Sequence, residues 1–512
     1  CASRFCRLTK LRRSRFMRLS GSAMRIAAAA LSGLACPLAF APFDLFWLAP
    51  LTLAVLYGCW WRASARQAAL QGFAFGLAMA LSGVSWIYVS LNQFGNMPAP
   101  LAAAAVMVFA ALMALYPTLV GGLQARIGPK SPALRAMLVM PALWVLGEWL
   151  RGNLLSGFPW LYLGYSQVDT PLAALLPIAG VLGVSLWVGL GAGALVAVVF
   201  LAGRSRLLPG AVLLGLLGSV ALIQAPAFVQ PAGEPINVAL VQHNVSLNDK
   251  WQSHKTDAIA RDYLADSEPL SGADLIVWPE AALSAYLDEI DPGFIARLRN
   301  HEADFLLGIL AREALAPDAA YYNVALGVGD KSVLYRKHQL VPFGEYLPMP
   351  GLLARILDYL SIPMSDFSPG PLPQPPMQLA GHPIGVSICY EDAFSHVINA
   401  ALPQAQILAN LSEDAWFGDS LAPHQRLQMA RARAIETGRP MIRSSNNGLS
   451  ALIDAKGQVG TVAPQFVRTV VRGSVQPMSG TTPFVRWGKL PVLGLCALLL
   501  GAGFWQRIGR GS

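Results

Sequence analysis

The sequence predicts a two-part protein: a multi-span α-helical membrane domain of about eight transmembrane helices, and an α/β domain outside the membrane. Three observations predict it. Only three carboxylates, Asp44, Glu148 and Asp169, lie between Ile26 and Gln224. Long apolar runs recur across that stretch, and the chain is 54% hydrophobic but only 13% charged, with mean hydropathy +0.47, far from soluble usage. Beyond residue 226, short β-branched runs alternate with helical stretches, the pattern of a layered α/β domain.

The basic arm, 1–24, comes first. Residues 1–25 hold eight Lys/Arg and no acid; the rest of the 512 residues is near neutral despite the net charge of +9. A basic end before an apolar segment marks the cytoplasmic side. No basic face with interleaved aromatics occurs elsewhere, which argues against nucleic acid as a partner. The chain opens on Cys1, and Met17 or Met24 would serve as starts.

A span needs about 20 apolar residues to cross a hydrocarbon core about 30 Å thick. Candidate spans lie at 25–41, 44–61, 68–90, 99–123, 134–150, 173–202 and 207–225, with a last at 488–505. Domain 25–225 thus carries seven helices, and 487–512 the C-terminal helix with its tail. Loop charges test the count. Arg62 and Arg66, then Arg126, Lys130 and Arg135, then Arg204 and Arg206, then Arg507 and Arg510 fall in alternate loops and the tail. The opposite loops hold almost no Lys or Arg. Both termini are therefore expected in the cytoplasm and 226–486 outside, in the periplasm of a Gram-negative cell with this inner-membrane protein.

Within 226–486, "INVALVQHN", "ADLIVWPE", "DFLLGILA", "YNVALGVG", "GVSICY" and "AQILANLS" read as buried strands. The stretch from Gln425 to Gly438 reads as a helix, with Gly438 at its end and Pro440 beyond. The Pro-rich "PGPLPQPP" reads as a surface loop.

Of six cysteines, only Cys389 belongs to this outside domain, so it has no structural disulfide partner there. A free cysteine is often a buried small hydrophobe. Its position offers more. It ends an apolar strand and precedes Tyr390, Glu391 and Asp392, which read as a helix start, where a thiol is exposed and its thiolate favoured by the helix dipole. The geometry is like a nucleophile elbow, without the G-x-S-x-G sequence. No histidine motif ties to it. Glu280 follows "LIVWP" at another strand end, where proline holds the preceding residue extended. Lys337 and Glu345 flank a third, with Pro342 and Gly344 shaping the loop. Singly each charge reads as a rim residue; together they place a carboxylate, a lysine and a thiol at sheet ends, where α/β sheets carry their sites.

In these surroundings Glu280, Lys337 and Cys389 resemble the Glu-Lys-Cys triad of the nitrilase (carbon–nitrogen hydrolase) superfamily. "GFPWLYLGYSQ" (Gly157 to Gln167), "WPEAA", "KHQLVPFGEYLP", "CYED", "DAWFGDS", "PHQ" and "RPMIRSSNNG" resemble motifs of the apolipoprotein N-acyltransferase family. Glu413 stands where that family usually has Asn. The resemblance implies a nitrilase-like αββα sandwich and an acyl transfer in two halves. An acyl chain moves from a phospholipid to Cys389 as a thioester, then to the N-terminal amine of a diacylated apolipoprotein. It makes Glu280 the general base, Lys337 the oxyanion stabiliser and Cys389 the nucleophile. Glu345 is then an orienting acid, Tyr390 and Glu391 line the same pocket, and Trp251 sits near an entrance. No HExxH, CxxC, Walker loop or GxGxxG is present, and the chemistry needs no metal or cofactor. Two rival readings use the same residues differently: a membrane-anchored nitrilase-type amidase acting with water, and a non-catalytic lipid-binding or transport protein.

Overall fold

The computed structural model describes residues 21–222, 227–316, 319–348 and 366–508. Most of the basic arm, and the end of the expected seventh span beyond residue 222, lie outside them. Apolar helices fill the first part: α1 Gly21–Ala39, α2 Leu48–Trp60, α3 Ala65–Gly83, α4 Ile87–Phe94, α5 Ala99–Ile127, α6 Pro132–Arg151, α7 Pro171–Phe200 and α8 Leu207–Leu222. Their outward side chains are apolar, among them Leu31, Val55, Leu70, Val108, Leu112 and Leu217.

Among the described residues, five helices are long and apolar enough to cross a membrane, or six if the bent pair α3–α4 counts as one. Two expected spans differ in form. The expected helix 44–61 shortens to 13 residues, about 20 Å of helix. The expected 68–90 breaks after Gly83 and turns by 59° into α4. Side chains pin that bend: Trp86 Nε1 donates to Gln425 Oε1 at 3.3 Å, and Ser90 Oγ donates to the Trp416 carbonyl at 2.7 Å. Both acceptors belong to the second domain.

That domain is a four-layer sandwich. Its strands are β1 Ile236–Gln242, β2 Leu275–Val277, β3 Asp304–Arg312, β4 Tyr321–Val328, β5 Ser332–Arg336, β6 Met377–Leu379, β7 His382–Ile388, β8 Ile407–Ser412, β9 Met441–Ser445, β10 Ala451–Ile453, β11 Val459–Val462 and β12 Thr469–Val475. One sheet runs β12-β1-β2-β3-β4-β5 and the other β11-β10-β9-β8-β7-β6. The central strands β1–β3 and β7–β9 pair in parallel. Strand alternation decides the layers. Val238 and Leu240 face the core between the sheets with Ile384, Ile407 and Ile442. Ala239 and Val241 face the outer layer with Ile259, Tyr263 and Leu298 from helices α9 Thr256–Ser267 and α10 Pro292–Arg299.

Helix α11, Leu421–Thr437, covers the second sheet. It begins four residues before the expected Gln425, because Ser420 Oγ caps the Ala422 N–H at 3.3 Å. It ends as expected at Gly438, at φ +63, a left-handed turn natural to glycine. Ala430 and Ala434 pack on the sheet. Ala422, Met429, Ala432 and Ile435 join Phe394 and Val397 in the same apolar core as the helices of the first domain. The last helix, α12 Leu490–Ile508, returns to that bundle and buries its own Val492 and Cys496 in it.

Helices α3 and α5 meet through small residues. A Cβ on Gly72 would lie 2.3 Å from the Pro117 carbonyl oxygen, and one on Gly121 2.4 Å from that of Ala68. Apolar helices associate by such close backbone approach. Gly72→Ala is therefore expected to force the pair apart at a cost of roughly 1–3 kcal/mol, read as a lower melting temperature in detergent. Gly210→Ala, with open space around it, should not lower it; equal melting of both variants with wild type would reject the contact.

Candidate active site

Strand ends of both sheets converge on one polar cluster. Glu280 follows β2 by a short turn, Lys337 follows β5 directly, and Cys389 follows β7 directly. Lys337 Nζ donates to Glu280 Oε1 at 3.1 Å and to Glu345 Oε1 at 2.7 Å. Asn323 Nδ2 bridges the same two carboxylates at 2.8 and 3.2 Å. Glu345 also accepts from the Val341 N–H at 2.8 Å, fixing the loop that carries it.

All three expected catalytic side chains are buried, which corrects the reading of Glu280 and Lys337 singly as rim residues. Cys389 is 8% exposed, Glu280 6% and Lys337 1%. The expected exposed thiol on a helix dipole is also corrected: Cys389 opens a five-residue 3₁₀ turn, Cys389–Ala393, inside the core. Its backbone sits at φ +52, the strained geometry of a nucleophile elbow. Burial sets the electrostatics. It pushes the Cys389 thiol up to about 12, with Arg426 and Lys337 pulling down and Glu280 and Asp414 pushing up. Burial would also raise Glu280, but the Lys337 charge and hydrogen bonds from Lys337, Asn323 and Cys389 hold it below the ordinary 4.5. Lys337 is raised: burial opposes its charge, and Glu280 with Glu345 outweighs that. The resting site is thus a carboxylate, an ammonium and a thiol.

Tyr390 and Glu391 do not line this cluster, contrary to expectation. A 3₁₀ turn rotates successive side chains by about 120°, so neighbours of the cysteine point elsewhere. Tyr390 OH donates to the Gly157 carbonyl at 3.0 Å, and its ring stacks on Trp160 with centroids 6.3 Å apart. Glu391 is fully buried and takes hydrogen bonds from the N–H groups of Ile388, His338 and Gln339 and from Tyr335 OH, at 2.6 to 3.0 Å. It ties the cysteine turn to the segment after Lys337. Trp251 is 49% exposed and immediately follows Lys250.

Several residues here escaped the sequence reading. Lys250 is 2% exposed; its Nζ donates to the Glu280 carbonyl at 2.8 Å and pairs with Glu413. Glu413, singled out as unusual, also accepts from Asn446 Nδ2 at 3.1 Å. Burial raises its carboxyl, and Lys250 opposes that. Below the cysteine, Arg426 and Arg443 share Asp392 and Asp414. Arg426 contacts them at 3.3 and 2.6 Å, and Arg443 at 2.8 and 3.0 Å. All four side chains are within 1% of full burial. The available signal was spacing: Arg426 lies inside the expected helix, and Arg443 inside the quoted "RPMIRSSNNG".

Comparison with known proteins fits this two-part layout. Residues 32–194 match the apolipoprotein N-acyltransferase N-terminal domain, and residues 237–483 match carbon-nitrogen hydrolase. The apolipoprotein N-acyltransferase of Methylococcus capsulatus is 43% identical, over 93% of this chain and 95% of that protein. That of Nitrosomonas europaea is 42% identical, over 94% and 97%. The nitrilase-superfamily structure of Saccharomyces cerevisiae Nit3 covers 50% of this chain and 93% of its own at 18% identity, with a TM-score of 0.37. Similarity to the two bacterial proteins runs through the apolar helices and the sandwich alike, in the same order, and so the chain belongs to the apolipoprotein N-acyltransferase family.

Proposed function

We propose that the chain moves an acyl group from a membrane phospholipid, through a thioester on Cys389, to the N-terminal amine of a diacylglyceryl-cysteine apolipoprotein. The observation that carries this reading is the seat of the cysteine turn. Its next residue, Tyr390, rests on Gly157 and Trp160 of the apolar half, so the thiol lies where the sandwich meets the helices. Acyl chains partition into hydrocarbon at about 0.8 kcal/mol per CH₂, so a site at that boundary avoids drawing a whole chain into water. Trp251 is assigned to the lipid-facing entrance on its exposure and its place beside Lys250. Similarity to named N-acyltransferases over nearly the full length disfavours a water-using amidase and a non-catalytic scaffold.

In the first half-reaction Glu280 takes the thiol proton as Sγ attacks the ester carbonyl. Lys337 faces the oxyanion. Collapse expels the lysophospholipid alkoxide, which recovers the proton from Glu280. In the second half the acceptor amine attacks the thioester, Glu280 takes its proton, and the cysteine leaves and is reprotonated. Glu345 and Asn323 hold Lys337 and Glu280 in register throughout. The apolar helices are assigned to the inner membrane of a Gram-negative cell, crossing it about eight times, with both termini cytoplasmic and 226–486 periplasmic. The alternating Arg/Lys loops support this orientation. Cysteines engineered into the sandwich should then react with a membrane-impermeant reagent on intact cells while one beside Arg126 does not; the reverse pattern overturns the topology.

Phospholipid alone should add one acyl mass to the protein and release a lysophospholipid. Neutral hydroxylamine should remove the mass, and a diacylated lipopeptide should take it up. Cys389→Ala should show no gain, and Glu280→Gln and Lys337→Ala should lose at least about 10²-fold in acylation rate. Acyl mass persisting on Cys389→Ala would place the nucleophile elsewhere.

The pH profile carries a second test. Glu280 sits below its ordinary 4.5, so the base form persists through neutral pH and is lost only as pH falls through that depressed value. The thiol stands at about 12, so the acylation rate should show no limb near the ordinary 9.0. A rise centred there would mean a water-exposed thiol and would contradict the buried arrangement.

A further inference from the structure

Thiol activation in this site meets an electrostatic difficulty that Lys337 alone does not resolve. Its ammonium already serves two carboxylates, Glu280 and Glu345. When Glu280 takes the thiol proton, one negative charge leaves its carboxylate and appears on Sγ. In a site closed to water, that charge needs a donor aimed at sulfur beforehand.

Arg426 is placed there. Its Nη1 lies 3.5 Å from Cys389 Sγ, in a donor geometry, with both side chains buried. The guanidinium is fixed from several sides: Nη1 also donates to Asp414 Oδ1 at 2.6 Å, and Nη2 to Asp392 Oδ2 at 3.3 Å and Ser412 Oγ at 2.9 Å. A planar fork held this way cannot swing aside. It arrives on helix α11, about two turns before Arg433, and not on the strand ends that bring the Glu-Lys-Cys cluster.

We propose that Arg426 is a further catalytic residue, whose guanidinium holds the Cys389 sulfur as it becomes a thiolate, both when the thiol attacks and when it leaves. The inference rests on Cys389 being the nucleophile. Of the charged groups bearing on the thiol, Arg426 is the strongest that favours its ionised form, ahead of Lys337. Asp392 and Asp414 do not lose all compensation if Arg426 is removed, because Arg443 contacts both. The arginine therefore serves the sulfur beyond balancing those acids.

The test reads the rate of Cys389 alkylation by iodoacetamide in the detergent-solubilised full chain, followed by mass on the Cys389 peptide. Acylation by phospholipid is measured in parallel. With Arg426→Gln, both rates should fall at one pH, about tenfold for each unit by which the thiol pKa rises. A purely structural arginine predicts the opposite sign for alkylation: loosening admits water and reagent, and the thiol reacts faster. Arg426→Lys restores the cation without the fork and should lie between the two. Should the Gln variant fail to fold, the Lys variant carries the test through a several-fold loss in both rates. Unchanged or faster alkylation in the folded variant overturns the role of Arg426. Cys389→Ala separates the two ideas: if it still turns over, the nucleophile assignment has failed, whereas an inactive Cys389→Ala beside an unaffected Arg426 variant rejects the arginine alone.

Discussion

Helix α11 is the constraint on which both halves depend. None of its 17 residues is exposed. A helix ordinarily keeps one polar stripe for water; here that stripe is used against the apolar bundle. Gln425 accepts from Trp160 Nε1 at 2.6 Å and donates to the Gly83 carbonyl at 3.0 Å. Arg431 meets Asp169, and Arg433 pairs with Glu436 at 2.9 Å. Glu436 Oε1 in turn accepts the Val181 N–H at 2.7 Å, where helix α7 breaks at Gly180, φ +64. One helix thus supplies the second sheet with its cover, the break in α7 with its cap, and the cysteine turn with its floor.

The site built over that helix is a dense set of buried charges. Buried pairs seldom add net stability, since desolvation offsets attraction, but each becomes costly if one partner is lost. That asymmetry explains the number of connections: Glu280, Glu345, Glu391 and Glu413 are each held by at least two donors. Such a lattice fixes side chains to a fraction of an ångström and leaves few alternative arrangements. Burial also keeps the Cys389 thiol protonated at rest, so it presents little thiolate to oxidants.

Elements with apolar signatures were legible in the sequence. The six strand runs, the end of α11 at Gly438, and the long helices followed from hydrophobic runs and periodicity, because those patterns are set by burial against like surfaces. What escaped is polar yet buried. Strand β9, "MIRSS", is fully buried but is not among the runs that read as strands, since its Arg443 and Ser445 are satisfied by Asp414 from another strand end. Lys250, buried against the Glu280 carbonyl and Glu413, gives no signal for the same reason. The bend between α3 and α4 was hidden too, because its anchors, Gln425 and Trp416, come from more than three hundred residues away. Glu280, Lys337 and Cys389 stood out because each directly ends an apolar run. The facing of Tyr390 and Glu391 depended on whether the turn after Cys389 was 3₁₀ or α, which side-chain pattern over five residues does not decide.

The continuous core across the two halves bears on how separable they are. The sandwich leaves Ala422, Met429, Ile435, Phe394 and Val397 embedded among the apolar helices. Cut free, the sandwich would present that patch together with Arg433 and Glu436, charges whose partners Tyr165 and Val181 remain behind. An exposed apolar face of that kind favours self-association over a stable monomer. The two parts are therefore one cooperative body, and the sandwich is not a module to be transplanted. Any lineage that changes the bundle must change α11 with it.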